Sequence, residues 1–253
     1  MEYSVCVSSV YGRLSIPEAL PRLRAIGYSA YEFWTWRDKD LKAIARAQAE
    51  NGLKAVAMCA NFTPLNVPER RGEYLRALRE DLRAARELDC EMLLLQAGPL
   101  VEGQDRAPQH ASIVEGLRAA APLAEDAGIT LALEPLNKLV DHIGYYLDRS
   151  AEAFEIVREV SSPRVRVVFD VYHQQITEGN LIVNLTENLA DICHVHIAGN
   201  PGRHEPLDRS EVCYPAVLQA LREAGYAHRV GLEYIPLRDP DEGLREILEK
   251  MPL

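Results

Sequence analysis

The sequence predicts a (β/α)8 TIM barrel, on three observations. Eight short apolar or β-branched runs recur along the chain, amphipathic helical stretches separate them, and glycines stand where several of those stretches end. The strand candidates are Tyr3 to Ser9, Ala30 to Trp34, Lys54 to Cys59, Met92 to Ala97, Thr130 to Glu134, Arg166 to Asp170, Cys193 to Ile197 and Val230 to Tyr234. An open doubly wound sheet can also use eight strands, so the count and the 253-residue length carry the preference for a closed barrel.

Between the strands lie Pro17 to Ile26, Leu41 to Glu50, Glu69 to Leu88, Ser112 to Ala127, Ala151 to Val160 and Tyr214 to Ala224, with apolar residues at helical spacing. Gly27, Gly52, Gly128 and Gly225 follow helical stretches as left-handed caps would. No composition break, flexible linker or charge block divides the chain, so residues 1–253 read as a single domain.

Composition narrows the functional classes. A formal charge of -10, from 28 Lys and Arg against 38 Asp and Glu, repels phosphate backbones and anionic lipid surfaces, which argues against nucleic acid as a partner. There is no signal-like N-terminus and no run of about 18 apolar residues, so a cytoplasmic protein without a membrane partner is expected. Five cysteines without a CxxC pair read as reduced core thiols. The exposed face of the Glu69 to Leu88 helix is a candidate surface for a homodimer or larger homo-oligomer.

In barrels of this kind reactive groups sit where strands end and the following loops begin. Four consecutive strands end on ionisable residues: Glu134 in LALEPLN, Asp170 in VVFDVYH, His196 in HVHIAGN and Glu233 in GLEYIP. Adjacent strands lie about 4.8 Å apart, so these side chains converge, and three carboxylates on one rim repel unless a cation neutralises them. Three oxygen donors and one nitrogen, with no thiolate, suit Mg or Mn, with Co able to substitute. His194 shares a strand face with His196 but lies deeper, as a packed, hydrogen-bonded histidine would.

Other candidates surround this cluster. His173, read as lying in the loop after Asp170, is placed to donate to or orient a substrate oxygen. Arg203, in the Gly/Pro-bracketed GNPGRHE loop, either holds its guanidinium over the pocket or pairs with Glu205. Trp34 and Trp36 stand near the mouth, to stack on a sugar face or to pack between helices.

LEPLN, FDVYHQQ, HVHIAGNPGRHEP and GLEYIP, in that order, resemble the hydroxypyruvate isomerase group of the xylose-isomerase-like barrels. The likeness is dense from about Thr130 to Pro236, a little under half of the chain, and thin before it. It implies a divalent ion held by Glu134, Asp170, His196 and Glu233. Glu134 and Glu233 would then form the acid/base pair, with His173 and Arg203 on substrate oxygens. Two departures stand out: His196 replaces the Gln of those isomerases and matches the similar ketose 3-epimerases, and Ile235-Pro236 replaces a Lys-Pro.

The expected reaction is isomerisation of a small sugar or hydroxy-keto acid through a metal-bound cis-enediolate, with Arg203 or Lys138 meeting a substrate carboxylate. The alternatives are a ketose 3-epimerase of tagatose, psicose or ribulose type and, below it, a non-catalytic sugar-binding barrel. A barrel endonuclease for abasic DNA requires more strand-end histidines and less negative charge.

Overall fold

The computed structural model describes residues 1–207 and 209–253. Eight parallel strands close in chain order: β1 (Glu2–Cys6), β2 (Ala30–Phe33), β3 (Lys54–Cys59), β4 (Met92–Leu95), β5 (Thr130–Leu133), β6 (Val165–Asp170), β7 (Ile192–Ile197) and β8 (Arg229–Leu232), which pairs back onto β1. The predicted barrel is therefore the observed one.

Ten helices are assigned among the described residues: α1 (Val7–Val10), α2 (Ile16–Ile26), α3 (Leu41–Asn51), α4 (Arg71–Glu87), α5 (Arg106–Ala127), α6 (Ser150–Val160), α7 (Val171–Thr177), α8 (Leu181–Glu187), α9 (Tyr214–Glu223) and α10 (Pro240–Lys250). None is long and apolar enough to cross a membrane.

Side-chain alternation along each strand divides the apolar residues into two sets. On β4, Leu93 and Leu95 join the main core against the helices, whereas Met92 and Leu94 join Ala30, Cys59, Ala132 and Val168 in a smaller cluster inside the barrel. The main core holds the large side chains, each contributing about 1.5–3 kcal/mol on full burial, while the interior apolar cluster is mostly small. Helix ends follow local rules. Gly52 and Gly128 take φ +62° and +71° as the left-handed caps of α3 and α5, and Asp40 accepts from the Ala43 N–H at the start of α3.

The structure corrects several boundaries. The first strand stops at Cys6, because the chain turns into α1 at Val7. Strands β2, β5 and β8 end one residue before Trp34, Glu134 and Glu233, which are thus the first residues beyond their strands. The α5 helix begins already at Arg106, and a 3-10 turn over Pro68–Arg70 precedes α4. Helices α1, α7, α8 and α10 were not anticipated; three of them are short, and α10 is announced by Asp239, which accepts from the N–H groups of Asp241 and Glu242. Cys213 is exposed at the start of α9, so only four of the five free thiols are buried.

Register carries the fold into the site. Asp170 pairs with His196 across β6 and β7, His196 with Gly231 across β7 and β8, and Gly231 with Ser4 across β8 and β1. These residues thereby form a polar layer that crosses the last strands of the barrel and returns to the first.

Candidate active site

At the C-terminal rim, ligand atoms of Glu134, Asp170, His196 and Glu233 all lie within 4.8 Å of one another, and all four side chains are buried. His196 Nδ1 is 3.1 Å from Glu134 Oε1 and 3.6 Å from Glu233 Oε2. Asp170 divides its carboxylate: Oδ1 caps α7 by accepting from the His173 N–H at 3.0 Å, while Oδ2 lies 3.7 Å from His173 Nε2.

The electrostatics of the ring are uneven. Burial pushes the Glu134 carboxyl above its ordinary value, opposed by the bond from His196 and reinforced by Glu233 and Asp170. Burial likewise raises Asp170 against the pull of Arg203 and His196. Glu233 goes the other way: burial favours its neutral form, but Arg203, His196 and the Trp34 N–H together hold it below the usual carboxylate range. His196 is raised well above an ordinary imidazole, since the Glu32 carboxylate and the bond to Glu134 outweigh its desolvation.

Three hard oxygen donors and one imidazole nitrogen, desolvated and mutually repelling, are a donor set that fits a divalent ion of the Mg or Mn kind. The ring is a candidate metal-binding cluster. Glu32, His194 and His196 form a second such group directly beneath it.

Arg203 is held inward. Its Nη2 donates to Glu233 Oε2 at 2.6 Å, and its guanidinium lies 5.4 Å from the Tyr172 ring centre. The loop that presents it is tightly built: Gly199 and His204 exchange backbone hydrogen bonds, and Gly202 and Arg203 both adopt positive φ. A Cβ on Gly199 would lie 2.5 Å from the Glu205 carbonyl oxygen, so only glycine fits there. The rival pairing of Arg203 with Glu205 is not formed: Glu205 accepts from the Leu237 N–H and lies 4.0 Å from Arg238.

His173 is not in an exposed loop, because Asp170 caps α7 and draws it into that helix's first turn, fully buried. Its protonation pattern can be read from its neighbours. Asn137 Oδ1 accepts from the Val140 and Asp141 N–H groups, which fixes the amide, so Asn137 Nδ2 donates both to Asp141 and, at 2.6 Å, to His173 Nδ1. Nδ1 is thus an acceptor and the proton resides on Nε2, a buried atom with no hydrogen-bond partner. Burial, helped by Arg203, depresses this histidine well below its ordinary value and keeps it neutral.

The remaining candidates divide. The Trp34 indole N–H donates to Glu233 Oε1 at 2.7 Å, so this side chain belongs to the ring. Trp36 packs between helices instead, donating to Asp81 beneath the Arg37 guanidinium. Lys138 is half exposed and pairs with the buried Asp148 at 2.9 Å. His194, as expected, is packed and hydrogen-bonded, its Nε2 lying 2.9 Å from Glu32 Oε1. Sequence reasoning missed Glu32 and Asn137. A lone acid in the apolar strand AYEF was a usable signal for Glu32, whereas nothing local marks Asn137.

The family model described as xylose isomerase-like TIM barrel matches residues 20–252. A putative hydroxypyruvate isomerase of Homo sapiens is 34% identical over 96% of this chain and 93% of its own length. A 2-oxo-tetronate isomerase of Cupriavidus necator is also 34% identical, over 70% of this chain and 68% of its own. Among solved structures, one described as an AP endonuclease, family 2, from Brucella melitensis superposes with a TM-score of 0.92 at 29% identity, covering 99% of both chains.

Proposed function

Because the chain belongs to the xylose isomerase-like TIM barrel family and is an isomerase, we propose that it interconverts a short hydroxy-keto acid of the hydroxypyruvate or 2-oxo-tetronate class with its aldehyde isomer, using one divalent ion. The observation that carries this reading is the buried ring of Glu134, Asp170, His196 and Glu233.

In hydroxypyruvate the carbon that bears the hydroxyl is acidified by the neighbouring ketone. Removing a proton from it leaves an enediolate shared by two carbons, and returning a proton to the former carbonyl carbon gives the hydroxy-aldehyde. No atom is gained or lost. Glu134, Asp170, His196 and Glu233 would hold the ion, which supplies electrostatic stabilisation to the two oxygens of the enediolate.

The chain's own residues supply the proton steps. Glu134 and Glu233 have environments that push them apart, one toward holding a proton and the other toward releasing it, as a take-and-return pair requires. The His173 Nε2–H offers a neutral donor to a substrate oxygen, and Arg203 combines charge with a position over the Tyr172 ring and beside Glu233. Arg203 and Lys138 are the cations assigned to the substrate carboxylate, and Trp34 forms a wall of the pocket. One compact domain over residues 1–253 and a cytoplasmic setting, which keeps the thiols reduced, complete the reading.

A second reading is favoured by one residue. His196 is an imidazole where the resembling isomerases have an amide, and this matches ketose 3-epimerases, in which the proton returns to the carbon it left, on the opposite face. DNA repair is disfavoured by the charge of -10. Incubation of the Mn-loaded protein in deuterated water with hydroxypyruvate, tagatose and fructose, followed by NMR, tests the proposal. Deuterium in the aldehyde product of hydroxypyruvate is expected. Exchange confined to carbon 3 of a ketose transfers the assignment to the epimerase, and no exchange into any substrate overturns both.

A further inference from the structure

Beneath the acid ring lies a second polar layer that the proposed chemistry leaves unused. Glu32, from β2, reaches across the barrel and is fully buried. Its Oε1 receives the Ser4 hydroxyl and lies 2.9 Å from His194 Nε2, while its Oε2 lies 2.9 Å from His196 Nε2. A carboxylate stripped of water on this scale persists only with partners, and here every partner is a donor.

The barrel wall is shaped around this contact. Gly231 faces it from β8, and a Cβ there would come within 2.6 Å of both Glu32 Oε1 and His196 Cδ2, and 2.8 Å of His194 Nε2. Gly231 has no positive φ, so backbone freedom does not account for it. Space for the Glu32 and histidine group does.

We infer that Glu32 is a positioning residue for His196: it takes the Nε2–H and so leaves Nδ1 as the ring nitrogen presented to Glu134, Asp170 and Glu233. An ionised carboxylate only accepts, so the nitrogens facing it, Nε2 of His194 and Nε2 of His196, must both carry hydrogens. In a neutral His196 the lone pair then sits on Nδ1, pointing at the ring 3.1 Å from Glu134 Oε1 and 3.6 Å from Glu233 Oε2. Without Glu32 the opposite tautomer, with Nδ1–H donated to Glu134, would satisfy the same neighbours and could not bind a cation. Ser4 and His194 hold the carboxylate in place, which makes His194 a brace for Glu32.

This inference rests on reading the ring as a divalent-metal site, and its test separates the two. In Glu32→Gln the amide keeps one acceptor oxygen and turns its NH2 toward one of the imidazoles, so it cannot accept from both. Mn(II) affinity, measured by EPR of the free ion, is expected to fall about 10–100-fold in this variant. Long-range 1H–15N spectra of the Mg-loaded wild type are expected to show His196 protonated on Nε2.

Affinity within twofold of wild type in a folded Glu32→Gln protein overturns the inference alone, as does a wild-type His196 protonated on Nδ1. Two ions per chain in the wild type, one of them lost in the variant, makes Glu32 a ligand and also overturns it. Should the variant not fold, the wild-type ring spectrum decides by itself. No Mn binding by the wild type overturns the metal reading and this inference together.

Discussion

The two halves of the barrel rim are built from opposite chemistry. Glu134, Asp170, His196 and Glu233 stand at or within one residue of the ends of β5 to β8, whereas Cys6, Trp34, Cys59 and Gln96 stand at or just beyond the ends of β1 to β4. The first set can carry charge, and the second presents weak or neutral donors. Burial raises the Cys6 and Cys59 thiols, and the Glu233 carboxylate raises them further, so both stay protonated beside the acids. Cys6 Sγ lies 3.8 Å from Glu233 Oε1, and Trp34 donates to the same oxygen. One half of the rim therefore concentrates negative charge and the other closes the pocket without competing for a cation.

If that division is functional, substitutions on the two halves have different consequences. Glu134→Gln and Glu233→Gln are each expected to lower kcat by about two or more orders of magnitude, because each removes a proton carrier. Cys6→Ser and Cys59→Ser keep a small neutral donor and are expected to leave kcat within about one order of magnitude. Steady-state kinetics on hydroxypyruvate checks both. Equal losses on the two sides would erase the contrast.

Trp34 makes the shorter of the two contacts with Glu233 from the neutral half, and its substitution gives a more specific effect. Trp34→Phe keeps an aromatic wall but removes the N–H that helps hold Glu233 below its ordinary pKa. A hydrogen bond to a charged group contributes about 1.5–3 kcal/mol, so kcat/KM is expected to fall by about one to two orders of magnitude. The sign of the pH effect follows directly. Activity on the acid side is lost as Glu233 takes up a proton, and the variant, with a raised Glu233 pKa, loses it at higher pH. An acid limb that stays in place or moves down would deny Trp34 its link to Glu233.

The same asymmetry explains what was legible in the sequence. Glu134, Asp170, His196 and Glu233 each stand at or next to the C-terminal end of a mostly apolar strand, so the strand pattern identifies them and the parallel order of the barrel assembles them. Glu32 lies within such a run, at the position paired with Cys6 on β1, and its meaning depends on His194 and His196 more than 160 residues away. No local pattern reports a contact of that separation. His173 was legible as a residue but not in its setting, because the Asp170 cap that buries it is a side-chain event at a strand end. Trp34 and Trp36 look alike in FWTW; only the fold turns one to Glu233 and the other to Asp81.

Lys138 gives the smallest expected effect and marks how far the charged half extends. It follows Asn137, whose amide sets the His173 tautomer, yet its own ammonium is engaged by Asp148, the lysine side chain being 44% exposed and the aspartate 7%. A pair open to water on the lysine side contributes up to about 1 kcal/mol. In Lys138→Ala, KM for hydroxypyruvate is therefore expected to rise about two- to threefold with kcat unchanged, the mark of a lost contact that serves ground and transition states alike. The decisive comparison is with a neutral ketose, which has no carboxylate to lose a partner. A rise above about tenfold for hydroxypyruvate, absent with the ketose, would make Lys138 the principal cation for the substrate carboxylate. Arg203 would then be left to its bond with Glu233, and the charged half of the rim would reach past the four strand ends into the loop after β5.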